Sequence, residues 1–94
     1  MQMNVTIRVI NDVRTGISKT TGREYKNRDI LVAWTERGRD GFDHENLQQV
    51  TLHGENVDRF AALRPQPGMV IEADIAFNTR SFGGKVYNDN SMYL

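Results

Sequence analysis

Four stretches of this chain alternate apolar and polar residues with a period of two, while a single short stretch shows helical spacing. That pattern confines the chain to a small β architecture. Val5, Ile7 and Val9 alternate with Thr6 and Arg8, the mark of a strand with one buried face, and the pattern ends near Val13. A second strand is expected over Tyr25 to Trp34, with Ile30 and Val32 turned inward and Asn27, Asp29, Leu31 and Ala33 outward. A third runs over Leu47 to His53, with Val50 and Leu52 inward. In a fourth, Val70 to Asn78, Ile71, Ala73, Ile75 and Phe77 alternate with Glu72, Asp74 and Ala76. Ser81-Phe82-Gly83-Gly84 reads as a hairpin turn, because paired glycines supply the positive φ such turns need, and a fifth strand follows from Lys85 to about Tyr93. Residues 14–24 and 36–46 read as loops, the first rich in turn residues and the second without periodicity.

Between the third and fourth strands, Gly54 introduces a segment whose Val57, Phe60, Ala61 and Leu63 recur at helical spacing. Its acids fall in the first turn, Arg64 closes it, and Pro65 and Pro67 stop it. The order β-β-β-α-β-β is that of an all-β OB-fold, a five-stranded Greek-key barrel with one short helix between strands 3 and 4. An SH3-like barrel lacks a full helical segment at that place. With 94 residues, the chain reads as one domain, 1–94. It has no cysteine, which excludes disulfides and thiolate zinc sites. The start, Met1-Gln2-Met3-Asn4, has neither a basic nor an apolar leader, and no apolar run reaches membrane-spanning length. The expectation is a soluble cytoplasmic protein with no membrane partner.

Twelve basic and 12 acidic residues cancel, but they are unevenly placed. Residues 14–39 carry seven bases, Arg14, Lys19, Arg23, Lys26, Arg28, Arg37 and Arg39, against three acids. Residues 40–76 carry seven acids against two bases. An electrostatic footprint follows clustering rather than the total. The expectation is a basic groove on the loops, with most of the compensating acid elsewhere.

Val50-Thr51-Leu52-His53-Gly54, then Val57, Leu63, Pro67-Gly68, Ile71 and Asn78-Thr79-Arg80-Ser81-Phe82 form a pattern similar to the second half of bacterial single-stranded DNA-binding proteins. Ile30-Leu31-Val32-Ala33 and Val5 to Val9 match the spacing of that family's first half. Two departures stand out: Leu47 occupies the head of strand three, where the family usually has an aromatic, and the family's acidic partner-recruiting tail is absent. Tail-less relatives such as small primosomal OB proteins, a phage or plasmid version, and a trimmed form of a longer protein are all compatible with that pattern. The resemblance implies homo-oligomerisation, as dimer or tetramer, and a role in replication, recombination or repair alongside replication proteins. It also matches Phe82 to the family's stacking aromatic.

Binding single strands takes aromatic faces for stacking and cations that track phosphates. Phe82 lies beside Arg80 and Lys85 on the glycine hairpin. Tyr25 has outward parity between Arg23 and Lys26, and Tyr87 has outward parity next to Lys85. Trp34 has core parity but sits at a strand end beside Arg37 and Arg39. Phe60 and Phe77 read as core, and Phe42 is uninterpretable alone. Arg14, Lys19, Arg23, Lys26, Arg28, Arg37, Arg39, Arg80 and Lys85 are the phosphate candidates, and Arg8 is the candidate for a subunit interface. Asp40, Asp43, His44 and Glu45 lack the ordered alternation of a metal loop, and His53 reads as a surface or interface residue. No catalytic constellation, metal site or cofactor is expected. The leading expectation is non-enzymatic, largely sequence-independent binding of single-stranded DNA. A protein-protein adaptor OB module and a single-stranded RNA binder are the alternatives.

Overall fold

The computed structural model describes the backbone of residues 1–94 and every side chain except those of Arg80, Phe82, Tyr87 and Asn88. Its elements are β1 (Gln2–Ile17), β2 (Glu24–Arg37), β3 (Asp43–His53), α1 (Glu55–Ala62), β4 (Val70–Ala76), β5 (Thr79–Phe82), β6 (Lys85–Asn88) and β7 (Ser91–Tyr93). Five strands close a barrel in the order β1-β2-β3-β7-β4, while β5 and β6 pair as a separate ribbon. A closed five-stranded barrel with its helix after the third strand is the OB-fold.

The period-two residues build the core. Val5, Ile7, Ile30, Val32, Val50, Leu52, Ile71, Ala73 and Ile75 are all buried, joined by Met92 from β7. Helix α1 closes one end by burying Val57 and Phe60. With only eight residues, it has room for one buried i, i+3 pair, so Ala61 and Leu63, expected inside, are exposed. The basic residue of its last turn is Arg59. Arg64 instead takes a left-handed φ of 51° just beyond the helix, which costs a non-glycine residue about 1–2 kcal/mol.

Three expectations about strand length are corrected. β1 runs to Ile17 rather than Val13, β2 to Arg37 rather than Trp34, and β3 begins at Asp43 rather than Leu47. The expected loops 14–24 and 36–46 are thus about half ribbon, with turns confined to residues 18–23 and 38–42. Register shifts in β1 between Ile7 and Val9 and between Ile10 and Val13 bend it away from the barrel wall, the usual effect of a bulge. The ribbon beyond is exposed on both faces, so its sequence carries no alternation. The expected fifth strand also divides. Gly83 and Gly84, at φ 60° and 78°, turn β5 into β6 outside the barrel, and β7 returns to pair with β4 and, through Thr51 and Ser91, with β3.

Candidate nucleic-acid interface

Strand β2 organises the surface. Residues 24–26 pair only with β1, residues 27–33 with β3 and, apart from Asp29, with β1 as well, and residues 34–37 only with β3. The β1–β2 ribbon therefore leaves from one end of β2 and the β2–β3 ribbon from the other. Between them, Asn27, Asp29, Leu31 and Ala33 lie in register with His53, Thr51, Gln49 and Leu47, forming an outer face about 20 Å long at 3.3 Å per residue. Ala33 has the expected outward parity but is only 2% exposed. It stands on the central strand between Thr6 and Leu47, where a methyl group is overtopped by larger neighbours. Leu47 is exposed on this face.

At the β2–β3 end, Trp34 is half-buried and packs on the edge of the core. Its indole meets Phe77 edge-on, with centroids 5.9 Å apart and an interplanar angle of 63°, and its Nε1–H donates to Glu36 Oε1 at 2.8 Å. Phe77, expected in the core, is 47% exposed. β4 ends at Ala76, so the strand alternation no longer governs the next residue. The Trp34–Phe77 contact joins the foot of the β2–β3 ribbon to the segment that leads into β5, and the two ribbons rise from a shared aromatic base.

The β2–β3 turn is tightly built. Gly38 N–H donates to Phe42 O at 2.8 Å, Asp40 Oδ1 accepts the Phe42 N–H at 3.0 Å, and the His44 imidazole lies 3.0 Å from Asp40 Oδ2. The Phe42 backbone hydrogen bond, helped by the His44 contact, holds the Asp40 carboxyl below its ordinary value. Phe42 itself is exposed at the tip.

At the opposite end, Tyr25 lies across Gly16, its register partner. A Cβ at Gly16 would come within 2.5 Å of the Tyr25 Oη, so the glycine is what allows the ring to lie flat on the ribbon. Ile17, Tyr25, Lys26, Asn27, His53 and Gly54 help to line an open cleft of about 840 Å³ beside it. The His53 Nδ1–H donates to Asn27 Oδ1 at 2.9 Å, and Ser91 Oγ lies 3.4 Å from His53 Nε2. A ring held this way presents a fixed edge to the cleft. The sequence places His53 on the surface without singling it out for the site, because its partners come from β2 and β7.

The charges pair more closely than their order in the chain implies. Asp29 accepts from Arg14 at 3.0 Å, Asp58 from Lys26 at 2.7 Å, and Glu45 from Arg8 at 2.7 Å, while Asp43 lies 3.6 Å from Arg37. Folding thus brings Asp43, Glu45 and Asp58 from the acidic stretch onto basic residues, correcting the expectation that the acid lies elsewhere. Arg28 donates from Nε to Asn11 O at 2.7 Å, and its guanidinium sits 5.8 Å over the Phe60 ring, which ties it to the barrel. Lys19, Arg23, Arg39 and Lys85 are exposed and form no ion pair among the described residues. Exposed ion pairs are individually worth little, about 0–1 kcal/mol, so Arg14, Lys26 and Arg37 can exchange a carboxylate for a phosphate at small cost. The candidate side chains of Arg80, Phe82 and Tyr87 lie outside the described residues, although the backbone register pairs Arg80 with Tyr87 and Phe82 with Lys85.

Among the described residues, no helix is long and apolar enough to cross a membrane, and no three His, Cys, Asp or Glu side chains converge as a metal site. No protein-family model matches the sequence, and no curated protein matches it. The solved structures to which the chain is similar include a protein described as a small single-stranded DNA-binding protein from Streptomyces coelicolor. The TM-score is 0.48 at 13% identity, over 99% of this chain and 87% of that one.

Proposed function

We propose that this protein binds single-stranded DNA without catalysing a reaction, by stacking bases and pairing phosphates along the outer face of β2 and β3. The observation that carries the reading is the Trp34–Phe77 pair, half-buried at Trp34 and exposed at Phe77, at the rim where that face ends and the β2–β3 ribbon and β5–β6 hairpin share a foot. Arg39 and Lys85 extend from these two ribbons. Stacking on aromatic faces and cations along a backbone path are the two requirements of sequence-tolerant single-strand binding, and the outer face of the second and third strands is the usual OB-fold site. Tyr25 supplies a second aromatic station at the far end of the face, next to Lys19 and Arg23 on the β1–β2 ribbon. The sequence-expected Arg80, Phe82 and Tyr87, carried by the backbone of the β5–β6 hairpin, are counted in the same proposed interface. A chain with no net charge relies on stacking and on a few exposed cations, and several copies in a dimer or tetramer present several such surfaces. The role we assign is in replication, recombination or repair.

The test is titration with oligo-dT at low and high salt, following the fluorescence of Trp34, the only tryptophan. Binding should change the Trp34 signal, and log K should fall with log salt as condensed counterions are released. Replacing both Lys19 and Arg23 by Ala should make that slope shallower by about 2, one for each phosphate left without its cation. Absence of binding to oligo-dT at low salt refutes the proposal and leaves the adaptor module as the reading of the barrel.

A further inference from the structure

The outer face of β2 and β3 has an acid at its centre. Asn27, Leu31 and Ala33 of β2 and their partners on β3 supply no lysine or arginine to that face, and its one acid is Asp29. A bare carboxylate there would repel phosphates. Asp29, however, is held on two sides: its side chain is 18% exposed, Oδ1 accepts from Thr51 Oγ1 of β3 at 2.8 Å, and Arg14 Nη2 of β1 lies 3.0 Å from both Oδ1 and Oδ2. β1 is shaped around this contact. Ile10 pairs with Ile30 and Val13 with Arg28, so Asp29 stands opposite two residues of β1, Asn11 and Asp12, the two-against-one count of a bulge. Asn11 Nδ2 donates to the Asp29 carbonyl at 3.1 Å, and Arg28 Nε donates to Asn11 O at 2.7 Å, which fixes the bulge from both strands.

Bulges re-aim the side chains beside them. Arg14 is the register partner of Asn27, yet its guanidinium reaches Asp29, two residues farther along β2 and onto the middle of the face. Asp29 stands four residues from Tyr25 and five from Trp34, about 13 and 17 Å at 3.3 Å per residue. Arg14 therefore brings a positive charge to the span between the two aromatic stations. The pairing leaves that charge able to bind. A guanidinium has five N–H donors; Asp29 engages Nη2 and leaves the Nη1 and Nε side of the fork, and the Arg14 side chain is 60% exposed. A guanidinium already held in place also loses less freedom on taking a phosphate than one that swings in solvent. Resting on the single-strand reading above, we propose that Arg14 binds a backbone phosphate at the centre of the face and that Asp29 is its positioning residue. The one acid of the face then strengthens binding to a polyanion.

Anisotropy of a labelled oligo-dT, titrated at several salt concentrations and below the melting temperature of every variant, reads the effect. Arg14→Ala should weaken binding by about 2- to 5-fold, the range of an exposed charge contact, and make the salt slope shallower by about 1. Asp29→Ala removes a negative charge, so charge alone would tighten binding and leave the slope no shallower. The expected result is the opposite: a loss of similar size, with the same shallower slope as Arg14→Ala. Asp29→Asn has the same net charge as Asp29→Ala but keeps an acceptor for Thr51 and Arg14, and should weaken binding less. In the Arg14→Ala background, Asp29→Ala should no longer weaken binding, because no guanidinium is left to hold. Tighter or unchanged binding in Asp29→Ala overturns the proposal, as does a loss that persists in the Arg14→Ala background. Failure of the unsubstituted protein to bind oligo-dT at low salt refutes the single-strand function itself, an outcome distinct from binding that ignores Asp29.

Discussion

Replacing Phe77 by Ala separates the two roles that its position gives it. The ring is 47% exposed, so about half of the roughly 1.5–3 kcal/mol available from burying a large apolar side chain is at stake. The edge-on contact with Trp34 adds about 0.5–1.5 kcal/mol. The substitution should therefore cost about 2 kcal/mol of stability, lowering the melting temperature by about 8–16 °C in a domain of this size. If Phe77 also stacks on a base, removal should cost a further 1–3 kcal/mol of binding, or about 5- to 150-fold in affinity. The stability term is read from Trp34 fluorescence during urea unfolding and the binding term from anisotropy of a labelled oligo-dT, below the melting temperature of the variant. Phe77→Leu keeps most of the apolar volume and removes the π-face, so it should recover most of the stability while binding as weakly as Phe77→Ala. The salt slope should be the same in all three proteins, since no charge changes. Wild-type affinity in Phe77→Ala, or full rescue of binding by Phe77→Leu, would show that the ring only packs on Trp34 and would remove the base of the proposed interface.

Two further perturbations test the ribbons. Gly16→Ala places a Cβ 2.5 Å from the Tyr25 Oη; the ring must lift from the ribbon, and oligo-dT affinity should fall about as far as for Tyr25→Ala, by roughly 5-fold or more if Tyr25 stacks, with the melting temperature of the barrel little changed. Asp40 provides a pH test. Its pKa is held below the ordinary 3.8, so the turn interactions stabilise the fold above that value and are lost as the pH falls through the lowered folded pKa. Carbon NMR of the Asp40 carboxyl should give a midpoint below 3.8, and the Phe42 amide resonance should move with it; Asp40→Asn should abolish that coupled titration.

The alternating residues make the barrel legible in the chain alone. Val5 and Ile7, Ile30 and Val32, Val50 and Leu52, and Ile71, Ala73 and Ile75 fill the core as their spacing demands. The helix after Gly54 and the Gly83–Gly84 turn also stand where their residue types require. These features are local or rest on one-sided burial, and periodicity records one-sided burial directly. It is silent where both faces meet solvent, which is why the ribbons of β1, β2 and β3 read as loops. It is silent, too, on what meets across the fold. Trp34 and Phe77 are distant in the chain and become one aromatic base only because β2 parts from β1 and β4 ends at the same rim. Asp58 reaches Lys26 because α1 lies beside the foot of the β1–β2 ribbon. The chain by itself determined which residues go inside, for burial on one face leaves a repeating mark. Closure of the barrel alone decided which surface residues share a site, because that depends on where strands stop and on what stands beside them.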